Sequence, residues 1–321
     1  MASSLSLRRP LAVVTIAIGV AAANVDHGWA HGFAGNRFFP ATLTNDDPFV
    51  ADELSLPTVD WYKNGNRPSD AQTDVSFELS KRLLEEFGIS VSDTWTHLDR
   101  RNEQNKSGFQ NLETSAKYQF LTNAEHEAIV SAGLSVEWGD TGAQSVGAES
   151  YSVLTPTLYF GKGAGDLPDT LGWLRPFAVT GLVGYAVPTD ARHTTRSVDP
   201  DTGDVDREVE KHAQSLVYGV SLEYSLPYLT SYVRDMEWPS FFNRLIPLVE
   251  FSFETPVQNR QGEDSSVFCN PGVIWAGQSF QVGAEAVVPL TREAGTGVGF
   301  IAQLHFYLDD LFPTTIGRPI F

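Results

Sequence analysis

The chain has 321 residues, a formal net charge of −18, 42% hydrophobic residues and a single cysteine. Forty acidic against 22 basic residues make a surface that repels nucleic acid and other anionic polymers. The lone Cys269 excludes an internal disulfide framework; at a strand-like position it reads as a small packed residue without redox chemistry.

The opening MASSLSLRRPLAVVTIAIGVAAA pairs a positive n-region, Arg8 and Arg9, with an apolar run from Leu11 to Ala23 that is short for a bilayer span. It predicts a secretory signal peptide over residues 1–30, with small residues allowing cleavage after Ala23 or, preferred here, after Ala30. Removing residues 1–30 leaves 20 basic and 39 acidic residues, a net charge of −19. No other segment approaches the ~18 consecutive apolar residues of a transmembrane helix, so a membrane protein of this sequence has to be a barrel.

Residues 31–52, beginning HGFAGNRFFPATLTNDDPF, have no sustained period and are rich in Gly, Pro, Asp and aromatics. They predict an irregular N-terminal segment, either periplasmic or docked as a plug inside the domain that follows. A new terminus at His31 pairs an amine with an imidazole, a copper-chelating combination, but no second histidine at an evident spacing completes a site. No metal and no cofactor are expected.

From residue 53 the sequence falls into alternating stretches of strand length. ELSLPTVDWYKN (53–64) is the weakest, because of Pro57. DVSFELSKRL and ISVSDTWTHL flank the short turn EEFG, and NLETSAKYQFL and AIVSAGLSVEW flank TNAEHE. SYSVLTPTLYF and WLRPFAVTGLVGYAV follow, then a long charged loop over 188–212, then AQSLVYGVSLEYSL with the cleanest alternation in the chain. The aromatic connection 227–244, with room for a short interfacial helix, leads to LIPLVEFSFET, VFCNPGVIWA and the final hairpin SFQVGAEAVVPL and GVGFIAQLHFYL. In that hairpin Phe280, Val282, Ala284, Val298, Phe300 and Leu304 share one apolar set, while Gln281, Glu285, Gln303 and His305 lie on the other face.

Counted backward from a periplasmic C-terminus, most short turns fall on one side and the longest charged loop on the other. The exception is 227–244, long where turns should be short. A soluble β-sandwich has no reason to sort its loops this way. Twelve strands put both termini on one side, as the even strand number of bacterial barrels requires. The expected fold is therefore all-β: an antiparallel transmembrane β-barrel of about 12 strands over 53–308, preceded by the segment 31–52 and followed by a periplasmic tail 309–321.

In such a barrel the polar face of each strand lines the lumen. The lining candidates are Glu78, Glu113, Lys117, Glu137, Glu223, Glu285 and His305, with Gln119, Gln281 and Gln303 beside them and Glu250 and Glu254 on a strand of less certain facing. Acidic residues dominate, which attracts cations. The alternative is that these carboxylates pair with Lys117, Arg82 and Arg175 and merely fill the barrel.

No G-x-S-x-G, H-E-x-x-H or Walker pattern occurs, so no catalytic residues are assigned and the chain is not read as an enzyme. GKGAG (161–165) lacks the trailing Lys-Ser/Thr and the helix of a phosphate loop. DPDTGDVDREVE (199–210) has Asp199, Asp201 and Glu210 at calcium-loop positions, but Gly203 and Asp204 depart from that pattern; it reads as a solvated acidic loop.

NPGVIWAGQSFQVGAEAVVPL (270–290) and the opening HGFAGNRFFPATL resemble proteobacterial outer-membrane transporter-like barrels, a loose set that includes proteins associated with aromatic-compound degradation pathways. That resemblance implies passive movement of small solutes across the outer membrane of a Gram-negative bacterium, with lipid, solute and the barrel-assembly machinery as partners. The chain departs from the set at its end, where Phe321 follows Pro313 and TTIGRPIF instead of closing the last strand. The expected function is an outer-membrane channel or uptake pore, possessing cation preference. The alternative is a non-conducting barrel that anchors a periplasmic partner.

Overall fold

The computed structural model describes residues 32–63, 71–101, 103–198, 205–260, 262 and 264–321. The expected signal peptide, His31 and residues 199–204 of the acidic stretch lie outside the described residues.

Among the described residues, twelve antiparallel strands form a closed barrel. They are β1 (Glu53–Lys63), β2 (Ala71–Leu84), β3 (Phe87–Asp99), β4 (Glu113–Asn123), β5 (Ala128–Glu137), β6 (Val153–Gly163), β7 (Phe177–Pro188), β8 (Gln214–Tyr224), β9 (Leu245–Gln258), β10 (Ser266–Ala276), β11 (Phe280–Pro289) and β12 (Gly299–Tyr307). Each pairs with its sequence neighbours, and β12 closes the ring on β1, with Phe300 opposite Trp61 and Tyr307 opposite Glu53. Closure leaves no strand edge with unpaired N–H and C=O groups, which a hydrocarbon solvent requires.

Alternation along each strand sets the two faces. On β12 Ile301, Gln303, His305 and Tyr307 are buried while Phe300 is exposed; on β11 Gln281, Gly283 and Glu285 are buried while Val282 is exposed. Leu79, Trp95, Leu134, Leu158, Val183 and Leu222 continue this exposed apolar face around the ring. Soluble monomers rarely expose contiguous apolar area beyond a few hundred Å². A face of this kind belongs against lipid.

β1 departs from simple alternation. Gln303 lies opposite Thr58 but His305 opposite Ser55, and on the other side Thr58 and Ser55 face Ser76 and Glu78, so Leu56 and Pro57 together oppose one residue on each neighbour. Proline has no N–H for the ladder, and a bulge is where a strand tolerates that loss. The bulge shifts the parity of the inward set, from Glu53 and Ser55 before it to Thr58 and Asp60 after it.

Two long connections carry structure of their own, one against expectation and one, with its short helix, in line with it. Within 188–212, read above as a loop, Arg192–Val198 pairs with Val205–Lys211 as a two-stranded hairpin. Thr194, Thr195, Val198, Val205 and Val209 supply the β-branched residues that favour extended backbone despite the charges. The long connection 225–244 caps one end of the barrel. It begins with a helical turn, Leu226–Tyr228, whose Tyr228 N–H donates to Ser225 Oγ at 3.1 Å, and it buries Tyr228 and Leu229. At the same end the C-terminal tail returns to the β2–β3 turn, where the Phe321 N–H donates to the Leu83 carbonyl at 3.0 Å.

Candidate functional site

Residues 33–52 run inside the barrel, entering at the end that carries the C-terminus and returning to it. At the entrance, Phe33–Ala34 pairs with Arg37–Phe38. Arg37 is fully buried: its Nε donates to Glu127 Oε2 at 3.2 Å, its Nη1 to the Pro176 carbonyl at 2.9 Å and its Nη2 to the Arg175 carbonyl, while the guanidinium lies 3.8 Å over the Tyr228 ring. The capping connection 225–244 and the entering segment thus share a buried cation.

The segment turns deep in the barrel against Glu250 on β9. The Leu43 and Thr44 N–H groups donate to Glu250 Oε2 at 2.9 and 3.0 Å, and the Asn45 N–H and Ser221 Oγ donate to Oε1 at 3.0 and 2.8 Å. The turn, which has no partner strand, thus places three of its N–H groups on this carboxylate, and β8 supplies the fourth donor. Thr44 Oγ1 also donates to Glu285 Oε2 at 3.2 Å and accepts from Asn270 Nδ2 at 2.8 Å. On the way back, Lys117 Nζ reaches Asp46 Oδ1 and the Asp47 carbonyl, each at 2.8 Å, and the Val50 N–H donates to Gln119 Oε1 at 3.1 Å. Asp52 then meets Lys81 Nζ at 2.5 Å and Arg82 Nε at 2.9 Å before β1 begins.

Inward-facing glycines make room for this path. A Cβ at Gly219 would collide with the Asn45 carboxamide, and one at Gly283 would lie 2.5 Å from Leu43 Cδ1. Apolar seats complete it: Leu43 packs with Ile246, Leu248, Ile274 and Ile301, and Phe39 and Phe49 pack with Ile129 and Ala178. The inner face is therefore not wholly polar. Where the segment rests it is apolar.

The segment does not fill the cross-section. A cavity of about 170 Å³ remains between it and the wall formed by β12, β1, β2, β3 and β4, lined by Asp46, Asp47, Glu53, Ser55, Glu78, Ser80, Ser90, Ser115, Lys117, Gln303 and His305 among others. Of the expected lumen residues, Glu78, Lys117 and His305 meet at this cavity. Glu285 lies instead at the deep turn, and Glu113 and Glu137 sit directly opposite one another on β4 and β5, with Asn111 Nδ2 donating to Glu137 at 3.0 Å. Glu223 is buried apart from these, accepting from Thr180 Oγ1 at 3.3 Å. Gln119 and Gln281 bind the segment's backbone, Glu250 anchors it and Glu254 is exposed.

The cations proposed as fillers pair elsewhere: Lys117 with Asp46, Arg82 with Asp52, and Arg175 with Asp169 at 3.0 Å. Asp46, Asp47 and Asp52 come from the aperiodic segment, and Glu53 and Ser55 from β1, which Pro57 had weakened. The signal available in sequence was the Asp-Asp-Pro run beside Lys117, whose charge needs a partner once buried. Burial pushes the Asp47 carboxyl up to about 7, countered in part by Lys117.

Ser55 Oγ lies 2.8 Å from His305 Nδ1, and His305 Nε2 lies 3.6 Å from Glu53 Oε2. The order serine, histidine, carboxylate is that of a nucleophile and its base. Its surroundings oppose acyl transfer, because Glu78, directly across from Ser55, repels a developing oxyanion instead of stabilising it.

No family model matches this sequence, and no curated protein matches it. Solved structures that are similar include the KdgM porin (10% identity, 78% of this chain and 98% of that one, TM-score 0.46) and an outer membrane channel from Pseudomonas putida F1 (11% identity, 80% and 95%, TM-score 0.49). LpxR from Salmonella typhimurium is similar as well (11% identity, 80% and 100%, TM-score 0.41). With these TM-scores below 0.5, the barrel stands on its own strand pairing and the role of its lumen on the side chains described above.

Proposed function

We propose that the protein is a passive channel for small solutes in the outer membrane of a Gram-negative bacterium, with a preference for cations. The observation that carries this reading is the polar cavity beside the internal segment: inside a closed barrel with an apolar outer face, the segment narrows the lumen without filling it. Around that cavity Asp46, Asp47, Glu53 and Glu78 outweigh the single lysine, Lys117, so a cation entering it is attracted and an anion repelled. On this reading residues 33–52 act as a constriction, the capped end faces the periplasm, and the barrel-assembly machinery inserts the chain. The sequence resemblance adds aromatic compounds as one solute class to try.

Swelling of liposomes that contain the purified mature protein tests the proposal. Influx of small cationic and neutral solutes, faster than that of anions of equal size, is the expected result; liposomes that stay osmotically tight to all of them refute it.

A second reading has its own observation. Glu250, Arg37 and Asp52 each tie the segment to the wall through several bonds, as befits a permanent plug in an anchoring barrel. Tight liposomes containing correctly folded barrel favour that reading.

A further inference from the structure

We propose that the cavity beside the internal segment is a binding site for a small solute bearing a primary ammonium group, with Glu78 as its counter-charge and Gln303 as its neutral acceptor. The inference rests on the channel reading and names the solute class.

The cavity's polar groups are unequally engaged. Asp46 is held by Lys117, the Asp47 side chain accepts the Phe49 N–H at 2.8 Å, and Glu53 faces His305. Glu78 is different. Its side chain is exposed to the cavity, it forms no ion pair among the described residues, and its contact with Ser80 Oγ is a long 3.5 Å. The strand register places it between Ser55 and Ser92, Ser90 is a further hydroxyl partner, and the one cation acting on it, Lys117, is not in ion-pair contact with it but is held by Asp46.

Gln303 supplies an independent observation. Its side chain is only 9% exposed and lines the same cavity, and its Nε2 donates to Thr58 Oγ1 at 3.2 Å. Its Oε1 is buried with no hydrogen-bond partner among the described residues. A buried acceptor left without a donor costs about 1–3 kcal/mol, which a donating ligand recovers when the carboxamide turns toward the cavity. Glu78 and Gln303 both ask for donors, and Glu78 asks in addition for positive charge. An ammonium group meets both demands; a carboxylate, a phosphate or an acceptor-only solute meets neither. A metal ion fits less well, because no group of three or more Asp, Glu, His or Cys side chains is set to hold one among the described residues. At about 170 Å³ the cavity has room for roughly five to six water-sized volumes, the size of a small amine and not of a peptide.

The test uses the full mature chain in planar bilayers, with 1,4-diaminobutane added to potassium chloride and block expressed relative to each variant's own open current. The expected result is saturable block whose apparent affinity falls about tenfold or more in Glu78→Gln, the loss of one charged hydrogen bond, with no block by acetate. An intact potassium chloride current with no block, and no heat of 1,4-diaminobutane binding to the detergent-solubilised protein, overturns the inference and leaves the channel reading standing. Calcium acting through Glu78 while 1,4-diaminobutane does not also overturns it, in favour of a metal site. If the barrel passes no current, calorimetry decides: binding weakened in Glu78→Gln supports the site while the channel reading falls, and absence of binding removes both.

Discussion

Replacing Glu250 with glutamine separates the hold on the internal segment from the integrity of the barrel. The carboxylate accepts four hydrogen bonds, from the Leu43, Thr44 and Asn45 N–H groups and from Ser221 Oγ, at 2.8 to 3.0 Å. A glutamine of the same shape keeps one acceptor oxygen for Leu43 and Thr44, but its NH₂ must then face the Asn45 N–H, donor against donor. At about 1.5–3 kcal/mol for each bond to a charged group, losing the Asn45 bond and the charge behind the others weakens the hold on the turn by roughly 3–6 kcal/mol. The ladder bonds of β9 do not involve this side chain, so strand content and the heat-modifiable gel mobility of a folded barrel should not change. Amide hydrogen exchange in detergent micelles reads the local effect directly: the amides of residues 43–45 should exchange at least about a hundredfold faster in Glu250→Gln, as that free energy implies. Single-channel recordings of the same variant should show larger or noisier open levels. Unchanged protection at residues 43–45 would refute the anchoring role of Glu250.

Gly283→Val places a side chain where a Cβ already lies 2.5 Å from Leu43 Cδ1, so it should displace the segment as Glu250→Gln does, again seen by exchange at residue 43. Arg37→Met strands the Glu127 carboxylate, which is 5% exposed, and should destabilise the entrance by roughly 3–5 kcal/mol, read as faster exchange over residues 33–38; an unaltered rate counts against the buried pair. Lys117→Met removes the one ammonium facing the cavity and frees Asp46, so the reversal potential in a potassium chloride gradient should move further toward the cation limit. Because burial raises the Asp47 carboxyl to about 7, that group is neutral below this pH and adds a negative charge above it. Cation preference should therefore rise from about pH 6 to about pH 8, and Asp47→Asn should flatten the rise.

The barrel was legible because one property, which side of each strand meets lipid, repeats at every second residue. Phe280 to Val288 and Val298 to Leu308 carry that pattern without interruption, and each of the twelve strands overlaps one of the alternating stretches, several running a few residues past its ends. β1 was harder to read, since the bulge at Leu56 and Pro57 shifts its inward set between Ser55 and Thr58; an alternation count sees only a broken pattern. The hairpin at Arg192–Val198 and Val205–Lys211 was hidden by its charged residues, which outnumber the β-branched ones that favour extended backbone.

The lumen was legible as a composition and not as a site. Glu78, Lys117 and His305 do share a cavity, but Glu285 and Glu223 serve other contacts, and the groups that decide the lumen's shape lie on residues 33–52. That segment has no period because it satisfies its backbone through Glu250, Gln119 and Gln281, side chains distant in sequence. A chain whose partners are supplied by the wall around it leaves no repeat of its own.

The direct measurement is the single-channel current of the wild-type mature protein across a planar bilayer with potassium chloride more concentrated on one side. Discrete open levels whose current reverses toward the cation side are what an acid-lined lumen, narrowed but not filled, should give. A folded barrel that passes no current, or one whose reversal potential favours chloride, contradicts it.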